Sequence, residues 1–321
     1  MEREEKEKMI KLLSLFSGIG AFEKALENIG INYELVNYCE IDKFASKSYS
    51  LIHKVDESKN LKDVAKVDTT TLPNDIDLIT YGFPCQDISI AGYRKGFKDE
   101  KGDTTRSGLF FEALRIIEDT KPKVAVAENV KALTGKRFAS EFETVLDSLN
   151  AAGYNSYWKV LNAKNYDVPQ NRERVFIVSV RKDIDNFKFS FPSPKMLYRK
   201  IGDLLENDVS DYYDVTQPSM LKRLEQGRLK VIKDHCNTIT TRQDRCPNAG
   251  VIDKGTGKYR YLTEKECFRL MGFDPEDCDL LKQNGISITQ IYKQAGNSIV
   301  VDVLEELLNS IYKELLKDNA E

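Results

Sequence analysis

Residues 81–87 read Tyr-Gly-Phe-Pro-Cys-Gln-Asp, and the other motifs of the chain are arranged around this stretch. The residues before it, 75–80, form a short apolar run that is typical of a buried strand. Gly82 tolerates unusual backbone angles and Pro84 fixes its own, so both interrupt regular structure. We therefore expect Cys85 on a turn at the exit of a strand, where α/β enzymes often hold reactive groups. A lone cysteine is more often a small buried thiol, and only the surrounding motifs favour the reactive interpretation.

A strand, a glycine turn and a helix precede this stretch. Residues 11–16 are predicted to form the strand, and Ser-Gly-Ile-Gly at 17–20 forms the turn before an amphipathic helix. Such a turn lets a ligand approach the backbone, and the helix N-terminus offers free N–H groups. A nicotinamide-binding turn carries a third glycine where this chain has Glu23. The pattern favours a nucleotide-like ligand and disfavours a nicotinamide dehydrogenase.

Two acidic residues are candidate contacts to such a ligand. Glu40 follows a predicted strand at 34–39, about 20 residues after the glycine turn, where an acidic residue commonly binds two ribose hydroxyls. A helix N-cap is the alternative role for Glu40. Asp63 could accept a hydrogen bond from an adenine amino group, although its sequence context alone is a weak signal.

After Cys85 the chain continues with a long loop and then alternates between predicted helices and strands. Residues 89–107 are rich in glycine and charged residues, and we expect them to form a mobile lid. Glu128 follows a buried strand at 123–127, just as Cys85 follows its own strand. Helices are also predicted at 108–117, 142–149 and 300–315, and strands at 156–161 and 174–180. This alternation predicts an α/β fold.

The alternation stops after Arg181 and returns near residue 262. Residues 217–260, inside this interval, hold ten basic and four acidic residues, a local balance of +6 in a chain of net charge −3. Such asymmetry suits contacts to phosphates, and a solvated mixed-charge surface is the alternative. Where the alternation returns, Thr263 and Glu266 match a capping box. We place a domain boundary near residue 181.

Composition limits the class of protein. The chain has 321 residues, 41% hydrophobic and 31% charged, which is ordinary for a globular protein of about two domains. No apolar run approaches the roughly 18 residues of a membrane helix, and the charged N-terminus is unlike a signal peptide, so we expect a cytoplasmic protein. Six cysteines without a C-x-x-C pair predict neither disulfides nor a metal site. The chain has two histidines, which disfavours a mechanism based on histidine catalysis.

Six short blocks of sequence stand in order along the chain. They are Phe-Ser-Gly-Ile-Gly at 16–20, Gly-Phe-Pro-Cys-Gln at 82–86, Glu-Asn-Val at 128–130, Gln-Asn-Arg-Glu-Arg at 170–174, Arg-Tyr-Leu-Thr at 260–263 with Arg-Leu-Met-Gly-Phe at 269–273, and Gln-Ala-Gly-Asn-Ser at 294–298. In kind and order they resemble the signatures of the DNA (cytosine-5) methyltransferase family. The unmatched residues, about 182–255, correspond to the variable target-recognition region of that family.

The resemblance implies a doubly wound, mostly parallel α/β sheet of the S-adenosylmethionine-dependent methyltransferase fold, with a smaller, irregular target-recognition domain. Residues 1–181 plus 286–321 would form the catalytic domain and residues 182–285 the recognition domain, with duplex DNA between them. The implied methyl donor is S-adenosyl-L-methionine. We expect a monomer without membrane contact, and any cognate restriction endonuclease would be a separate protein.

For the donor, the resemblance implies that Phe16 packs on the adenine, Glu40 holds the ribose and Asp63 contacts the adenine amino group. Asn297 and Ser298 would line the methionine end. The expected cofactor site is completed by Gly18, Gly20, Ile41 and Pro84. Ile41 departs from the family pattern, because many members carry a bulky aromatic residue at this position.

For the reaction, the resemblance implies that Cys85 adds to carbon-6 of a cytosine flipped out of the duplex. A free thiol titrates near pH 8.5, so a helix N-terminus or a cation must favour the Cys85 thiolate. Glu128 would contact ring nitrogen-3 and the amino group, and Arg172 would hold the ring carbonyl. Arg174 would tie the two lobes together. Water is expected to take the carbon-5 proton.

Contacts to DNA are expected from the basic lid and from the recognition region. The residues concerned are Gln86, Ser89, Arg94, Lys95, Arg174, Arg242 and Arg245. Two alternatives stay open: a transfer-RNA cytosine-5 methyltransferase on the same scaffold, and a catalytically silent DNA-binding regulator. The basic, irregular segment 182–255 favours DNA over transfer RNA, and the presence of Cys85 with Glu128 and Arg172 disfavours a silent regulator. The sequence contains no readable code for the target site.

Overall fold

The computed structural model describes residues 9–83, 108–255 and 257–316. They form one six-stranded sheet and two pairs of short strands. We call residues 182–261 the small lobe and the rest of the described chain the large lobe. The strands are β1 (Ile10–Leu15), β2 (Tyr33–Cys39), β3 (Leu78–Tyr81), β4 (Val124–Val130), β5 (Tyr154–Asn162), β6 (Gln170–Asn171), β7 (Glu173–Arg181), β8 (Cys236–Asn237), β9 (Ile252–Gly255) and β10 (Lys258–Arg260). The predicted strands are all present, with ends that differ from the predicted ones by a few residues.

Helices follow the strands in the order expected for an α/β fold. They are α1 (Ala21–Asn28), α2 (Lys43–His53), α3 (Leu109–Thr120), α4 (Ala139–Ala151), α5 (Pro218–Glu225), α6 (Glu264–Leu270), α7 (Pro275–Gln283), α8 (Ile288–Asn297) and α9 (Val301–Ile311). Short 3₁₀ helices occupy several of the connections, and a π-helical turn, Tyr312–Leu316, follows α9.

Within the described residues, the large sheet has six strands in the order β2-β1-β3-β4-β7-β5. Strands β1 to β4 run parallel, and β7 is antiparallel to both of its neighbours. The chain passes from β1 to β2 on one side and to β3 on the other, which makes a topological switch point between β1 and β3. The prediction of a doubly wound, mostly parallel sheet is confirmed.

The register brings the carboxyl ends of the four parallel strands to one edge. Leu15 pairs with Cys39 in β2 and with Tyr81 in β3, and Tyr81 pairs with Ala127 in β4. The residues that follow these positions are the glycine turn, Glu40, Gly82 and Glu128. The motifs that lie far apart in sequence therefore meet at a single edge of the sheet.

Apolar side chains fill both faces of the sheet. Leu12, Leu78 and Val126 belong to the core on one face, whereas Leu13 and Ile79 belong to the core on the other. Successive residues alternate between the faces because side chains in a strand have a period of two. Each fully buried side chain of this size contributes roughly 1.5–3 kcal/mol to the stability of the fold. Both faces of the sheet therefore stabilise the edge at which the motifs meet.

The return of regular structure after the irregular segment begins with the predicted capping box. The Thr263 side-chain oxygen accepts from the Glu266 amide at 3.0 Å, and Glu266 accepts from the Thr263 amide at 2.9 Å. These reciprocal bonds satisfy amides that an unpaired helix N-terminus would leave free. The capping-box prediction is confirmed.

Helices α6 and α7 pack with the large lobe. Lys24 of α1 pairs with Asp274 and Asp277, and Lys47 of α2 donates to the carbonyl of Asn284. Their apolar residues also join the core that contains α8 and α9. The expected boundary at residue 286 stays a prediction, and these contacts join α7 to α1 and α2.

The small lobe has an apolar cluster of its own. Val215, Leu229, Val251 and Tyr261 are its buried members, and α5 and the β9–β10 hairpin cover it. In the described part of the chain, no helix is both long and apolar enough to cross a membrane.

Candidate active site

A cavity of about 370 Å³ opens at the carboxyl ends of β1 and β2, beside the switch point of the sheet. Small-molecule sites commonly occupy roughly 300–1,000 Å³ at this place in α/β folds. Its walls include five residues that the sequence analysis assigned to the cofactor, namely Phe16, Gly18, Glu40, Asn297 and Ser298. The structure thus brings the first and last sequence blocks together around one cavity.

Glu40 organises the glycine turn. One of its carboxylate oxygens accepts from the Gly18 amide at 2.9 Å, and the other accepts from the Asp42 amide at 2.7 Å. Burial raises the pKa of Glu40, and these two amides offset part of that rise. Each oxygen keeps a second lone pair, so the carboxylate can still accept hydrogen bonds from hydroxyl groups in the cavity.

Gly20 lies outside the lining of this cavity, and its expected contact to the cofactor stays a prediction. A Cβ at Gly20 would stand 2.1 Å from Nε2 of His53 and 3.0 Å from the ring of Tyr49. Its φ of 79° is also one that residues with a Cβ rarely adopt. Glycine at this position therefore makes room for the His53 ring.

Two other expected cofactor contacts do not line the cavity. Asp63 caps the short helix Val64–Lys66 by accepting from the Ala65 amide at 3.1 Å. Ile41 is 74% exposed. The structure therefore brings neither Asp63 nor Ile41 into the walls of the cavity.

Lys293 lines the cavity and was missed by the sequence analysis. Its Nζ donates to the carboxylate of Asp42 at 2.6 Å, which joins α8 to the start of α2. Gln294 strengthens this connection through the Ser48 hydroxyl. Lys293 and Asn297 are four residues apart on α8 and share a face, and this spacing is the signal that could have found Lys293.

A second cavity, of about 500 Å³, adjoins the first. Glu128 and Asn297 line both cavities, so the two spaces meet at these residues. Gly82 lines the first cavity and Phe83 lines the second. Gly82 and Phe83, which directly precede Pro84 in the sequence, therefore each line one of the two cavities.

Six of the expected site residues lie outside the described residues. They are Pro84, Cys85, Gln86, Ser89, Arg94 and Lys95. Their roles stay predictions from the sequence. The amide side chain of Asn129 donates to the Phe83 carbonyl at 2.8 Å, which ties the backbone just before Pro84 to the strand that carries Glu128.

Glu128 is nearly buried and is paired with Arg174. Nε of Arg174 lies 2.9 Å from a carboxylate oxygen of Glu128. Burial raises the pKa of Glu128, and the charges of Arg174 and Arg172 offset part of the rise. A carboxyl group with a raised pKa can be protonated and donate a hydrogen bond to a base placed in the second cavity.

Arg172 is buried and holds backbone carbonyls. It donates to Ile239 at 2.8 Å, to Gly296 at 3.0 Å and to Ser298 at 2.5 Å. Ile239 lies between residues 182 and 261, and its side chain is buried in the same apolar core as α8 and α9. Arg172 therefore ties this segment to the large lobe. Arg172 also lines the second cavity together with Glu128 and Arg174, so the expected contact of Arg172 to the base stays a prediction.

Arg242 and Arg245 are exposed on a loop of the small lobe that follows β8. The start of this loop is fixed to the large lobe, because Ile239 also donates its amide to Gln170 at 3.1 Å. Arg245 lies 3.3 Å from the carboxylate of Asp244, and both arginines are accessible to a partner.

Comparison with known proteins agrees with this arrangement. Residues 10–313 match the family model of the C-5 cytosine-specific DNA methylases. The orphan methyltransferase M.SPRI of Bacillus phage SPR is 31% identical, over 96% of this chain and 97% of the phage protein. The type II methyltransferase M.Bsp6I of Bacillus sp. (strain RFL6) is 36% identical, over 96% of this chain and 100% of that protein.

Solved structures agree at the level of the fold. The S. pombe Dnmt2 methyltransferase superposes with a TM-score of 0.76 at 23% identity, covering 95% of this chain and 98% of that one. The Entamoeba histolytica methyltransferase EhMeth gives a TM-score of 0.76 at 20% identity, covering 96% and 99%. The match of the family model over most of the sequence is decisive: the chain belongs to the C-5 cytosine-specific DNA methylase family and is a DNA (cytosine-5) methyltransferase.

Proposed function

We propose that Cys85, Glu128 and Arg174 act together on a cytosine flipped out of duplex DNA, with S-adenosyl-L-methionine as the methyl donor. The observation that carries this proposal is the meeting of the two cavities at Glu128 and Asn297. A donor in the first cavity and a base in the second would be neighbours there. Cys85 follows Phe83, which lines the second cavity, by two residues.

The residues of the first cavity fit the donor. Glu40 can accept from ribose hydroxyls, and the Phe16 ring offers an apolar face for the adenine. Asn297 and Ser298 offer polar groups to the amino-acid end, and Lys293 adds a positive charge beside them. When bound, S-adenosyl-L-methionine supplies an electrophilic methyl group.

In the second cavity we assign the base contacts to Glu128 and Arg174. Protonated Glu128 donates to ring nitrogen-3 and stabilises the charge that develops when the Cys85 sulfur bonds to carbon-6. The electron pair of the 5,6 double bond then makes carbon-5 nucleophilic. Arg174 orients the Glu128 carboxyl and offers its remaining N–H groups to the ring carbonyl.

Completion of the reaction restores the ring. Carbon-5 loses its proton after it has gained the methyl group, and the electron pair released expels the Cys85 sulfur from carbon-6. We assign the proton to water, because the described side chains at the junction of the cavities, Glu128 and Asn297, already have other roles.

The small lobe would hold the duplex against the large lobe. Arg242 and Arg245 are the recognition residues that we propose there, and Gln86, Ser89, Arg94 and Lys95 are the proposed contacts from the segment after Cys85. Arg172 contributes by fixing the small lobe at Ile239. The functional division we propose is a catalytic lobe with residues from about 262 onward, and a recognition lobe between residue 182 and that point.

We further propose that the enzyme acts as a cytoplasmic monomer, because one chain supplies both cavities and both lobes. Its relatives include proteins named as type II methyltransferases and others named as orphan methyltransferases. A cognate restriction endonuclease, if the host carries one, would be a separate protein.

Methyl transfer from radiolabelled donor to duplex DNA and to transfer RNA tests the proposal. We expect label in the duplex, and bisulfite sequencing of that duplex should place 5-methylcytosine within one short sequence. Label in transfer RNA alone would contradict the proposed substrate. Binding of duplex DNA without any transfer would favour a silent regulator, which the presence of Cys85, Glu128 and Arg174 disfavours.

A further inference from the structure

The side chain of His53 is completely enclosed, and both of its ring nitrogens face oxygen acceptors. Nδ1 lies 2.9 Å from a carboxylate oxygen of Glu27, and Nε2 lies 3.0 Å from the backbone carbonyl of Ile19. Neither partner has a hydrogen to donate when Glu27 is ionised. Only the doubly protonated imidazolium can donate to both.

A positive charge on the His53 ring would also stabilise the acidic groups around it. Glu23 is buried, with one carboxylate oxygen bonded to the Tyr49 hydroxyl at 2.9 Å. Within the described residues, its other oxygen has no hydrogen-bond partner. A buried carboxylate is costly without a nearby cation, and the His53 ring, 4.8 Å from that of Tyr49, can supply the charge.

The groups that face this cluster come from three elements. They are Glu23, Lys24 and Glu27 on α1, Tyr33 on β2 and Tyr49 on α2. Burial lowers the pKa of His53, but the hydrogen bond to Glu27 and the charges of Glu23 and Glu27 outweigh burial, so that the pKa is raised overall. Burial alone would raise the pKa of Glu27, but the contact with His53 outweighs burial and the pKa is lowered overall.

This cluster reaches the proposed cofactor cavity through one residue. Ile19, whose carbonyl oxygen accepts from His53, lines that cavity and precedes Gly20 in the turn. Gly20 lacks the side chain that would otherwise occupy the place of the His53 ring. The absence of a side chain at Gly20 therefore allows the His53 ring to reach the Ile19 carbonyl.

We propose that His53, as an imidazolium, is a positioning residue that holds the cofactor turn through Ile19 and makes cofactor affinity depend on pH. The proposal rests on the proposed function, since it assumes that the cofactor binds in the cavity that Ile19 lines. A neutral ring would keep its proton toward the Glu27 carboxylate, and the Nε2 lone pair would then face the Ile19 carbonyl. The turn would lose its contact, and the cofactor would bind more weakly.

The sign of the pH effect follows from the raised pKa of His53. The stabilising contribution is fully present below the unfolded value of about 6.5, and it is lost as the pH rises through the folded pKa. Cofactor affinity that depends on the held turn should fall over the same interval.

Two measurements on the full chain test the proposal. The first is an NMR titration of the ¹⁵N-labelled imidazoles, in which His53 should remain an imidazolium to a higher pH than His235. His235→Gln assigns the signals, because the chain has two histidines. A His53 ring that is neutral at pH 6.5 would overturn the proposal without any variant of His53 having to fold.

The second measurement is the dissociation constant of S-adenosylhomocysteine by calorimetry between pH 6 and pH 9. Relative to His53→Gln, the wild type and His235→Gln should both lose affinity as the pH rises, by at least about fivefold. The comparison with His53→Gln cancels the titration of the ligand itself. Equal pH profiles for wild type and His53→Gln would overturn the proposal alone, whereas a wild type that binds no cofactor would overturn the proposed function as well.

Discussion

Arg174 and Glu128 face each other across the antiparallel strands β7 and β4, with Nε 2.9 Å from the carboxylate oxygen. Glu128 is in register with Phe176, so Arg174 is its diagonal neighbour on the same face of the sheet. The pair is therefore positioned by regular strands. Because Glu128 lines both cavities, this strand geometry fixes an acid and a cation at the place where we propose that donor and base meet.

Replacing Arg174 should impair catalysis more than stability. We expect Arg174→Gln to lower the single-turnover rate of methyl transfer by on the order of 10²-fold, because one preorganised donor is removed from the reacting base. Glu128 can become protonated, so the loss of its partner should leave the urea unfolding midpoint little changed. A variant that methylates DNA at the wild-type rate would contradict the assignment.

Replacing Arg172 should impair stability more than catalysis. Arg172→Gln removes the donors of the Ile239, Gly296 and Ser298 carbonyls, and buried unpaired acceptors cost about 1–3 kcal/mol each. We expect urea unfolding to show a loss of about 3 kcal/mol. Arg181→Gln on the same strand β7 is the control and should cost less than about 1 kcal/mol, since its carboxylate partner is exposed. Full stability with abolished chemistry in Arg172→Gln would favour the expected contact of this residue to the base.

Gly296 should be intolerant of a single added carbon. A Cβ there would lie 2.3 Å from the Thr241 amide nitrogen and 2.7 Å from the Thr240 carbonyl oxygen, both backbone atoms of the small lobe. Overpacking of this kind costs about 1–3 kcal/mol, so Gly296→Ala should lower the free energy of unfolding by that amount and weaken DNA binding. Gly202→Ala is the matched control, because a Cβ there would meet nothing within 4 Å. Equal thermal stability of the two variants would show that the lobes do not approach this closely.

The exposed arginines of the recognition loop should contribute to DNA affinity through charge. The double variant Arg242→Ala with Arg245→Ala should bind duplex DNA more weakly and reduce the salt dependence of log affinity by about 2, if each contacts one phosphate. A smaller change in slope with relaxed sequence preference would indicate base contacts instead. Lys159→Ala with Lys188→Ala removes the same charge from exposed positions outside the loop and should leave the slope unchanged. Identical binding by both double variants would remove the arginines from the interface.

Cys85→Ala should abolish methyl transfer while S-adenosylhomocysteine and duplex DNA still bind, because the sulfur is the proposed nucleophile and not a binding group. The control is Cys246→Ala, which removes an exposed thiol from the recognition loop and should keep the wild-type turnover. Turnover and both affinities are measured on the same preparations. Persistent methylation by Cys85→Ala would mean that another group attacks carbon-6.

The sequence was sufficient for the parallel strands and for much of the cofactor cavity. Apolar runs followed by Glu40 and Glu128 have a clear meaning, because parallel strands must end at one edge. The direction of β7 could not be predicted, since an apolar run has the same pattern whichever way the strand runs. The apolar stripes of α6 and α7 predict burial without saying which helices cover them, so the contacts of α7 to α1 and α2 could not be predicted.

The individual roles of neighbouring side chains were harder to predict. Arg172 and Arg174 are two residues apart in one motif, and the pattern does not say which guanidinium meets Glu128 and which meets the small lobe. Gly20 belongs to a turn that suggests ligand contact, yet its missing side chain leaves space for His53, which is distant in sequence. Such roles depend on tertiary packing, which no local sequence pattern records.

The most direct test of the central claim is to trap the covalent bond between Cys85 and the target base. A duplex with 5-fluorocytosine at the methylated position should give a denaturation-resistant complex in the presence of S-adenosyl-L-methionine, because fluorine cannot leave carbon-5 as the proton does. Peptide mapping by mass spectrometry should place the adduct on Cys85, and Cys85→Ala should give none. A normal rate of methylation without any adduct, or an adduct on another residue, would contradict the account.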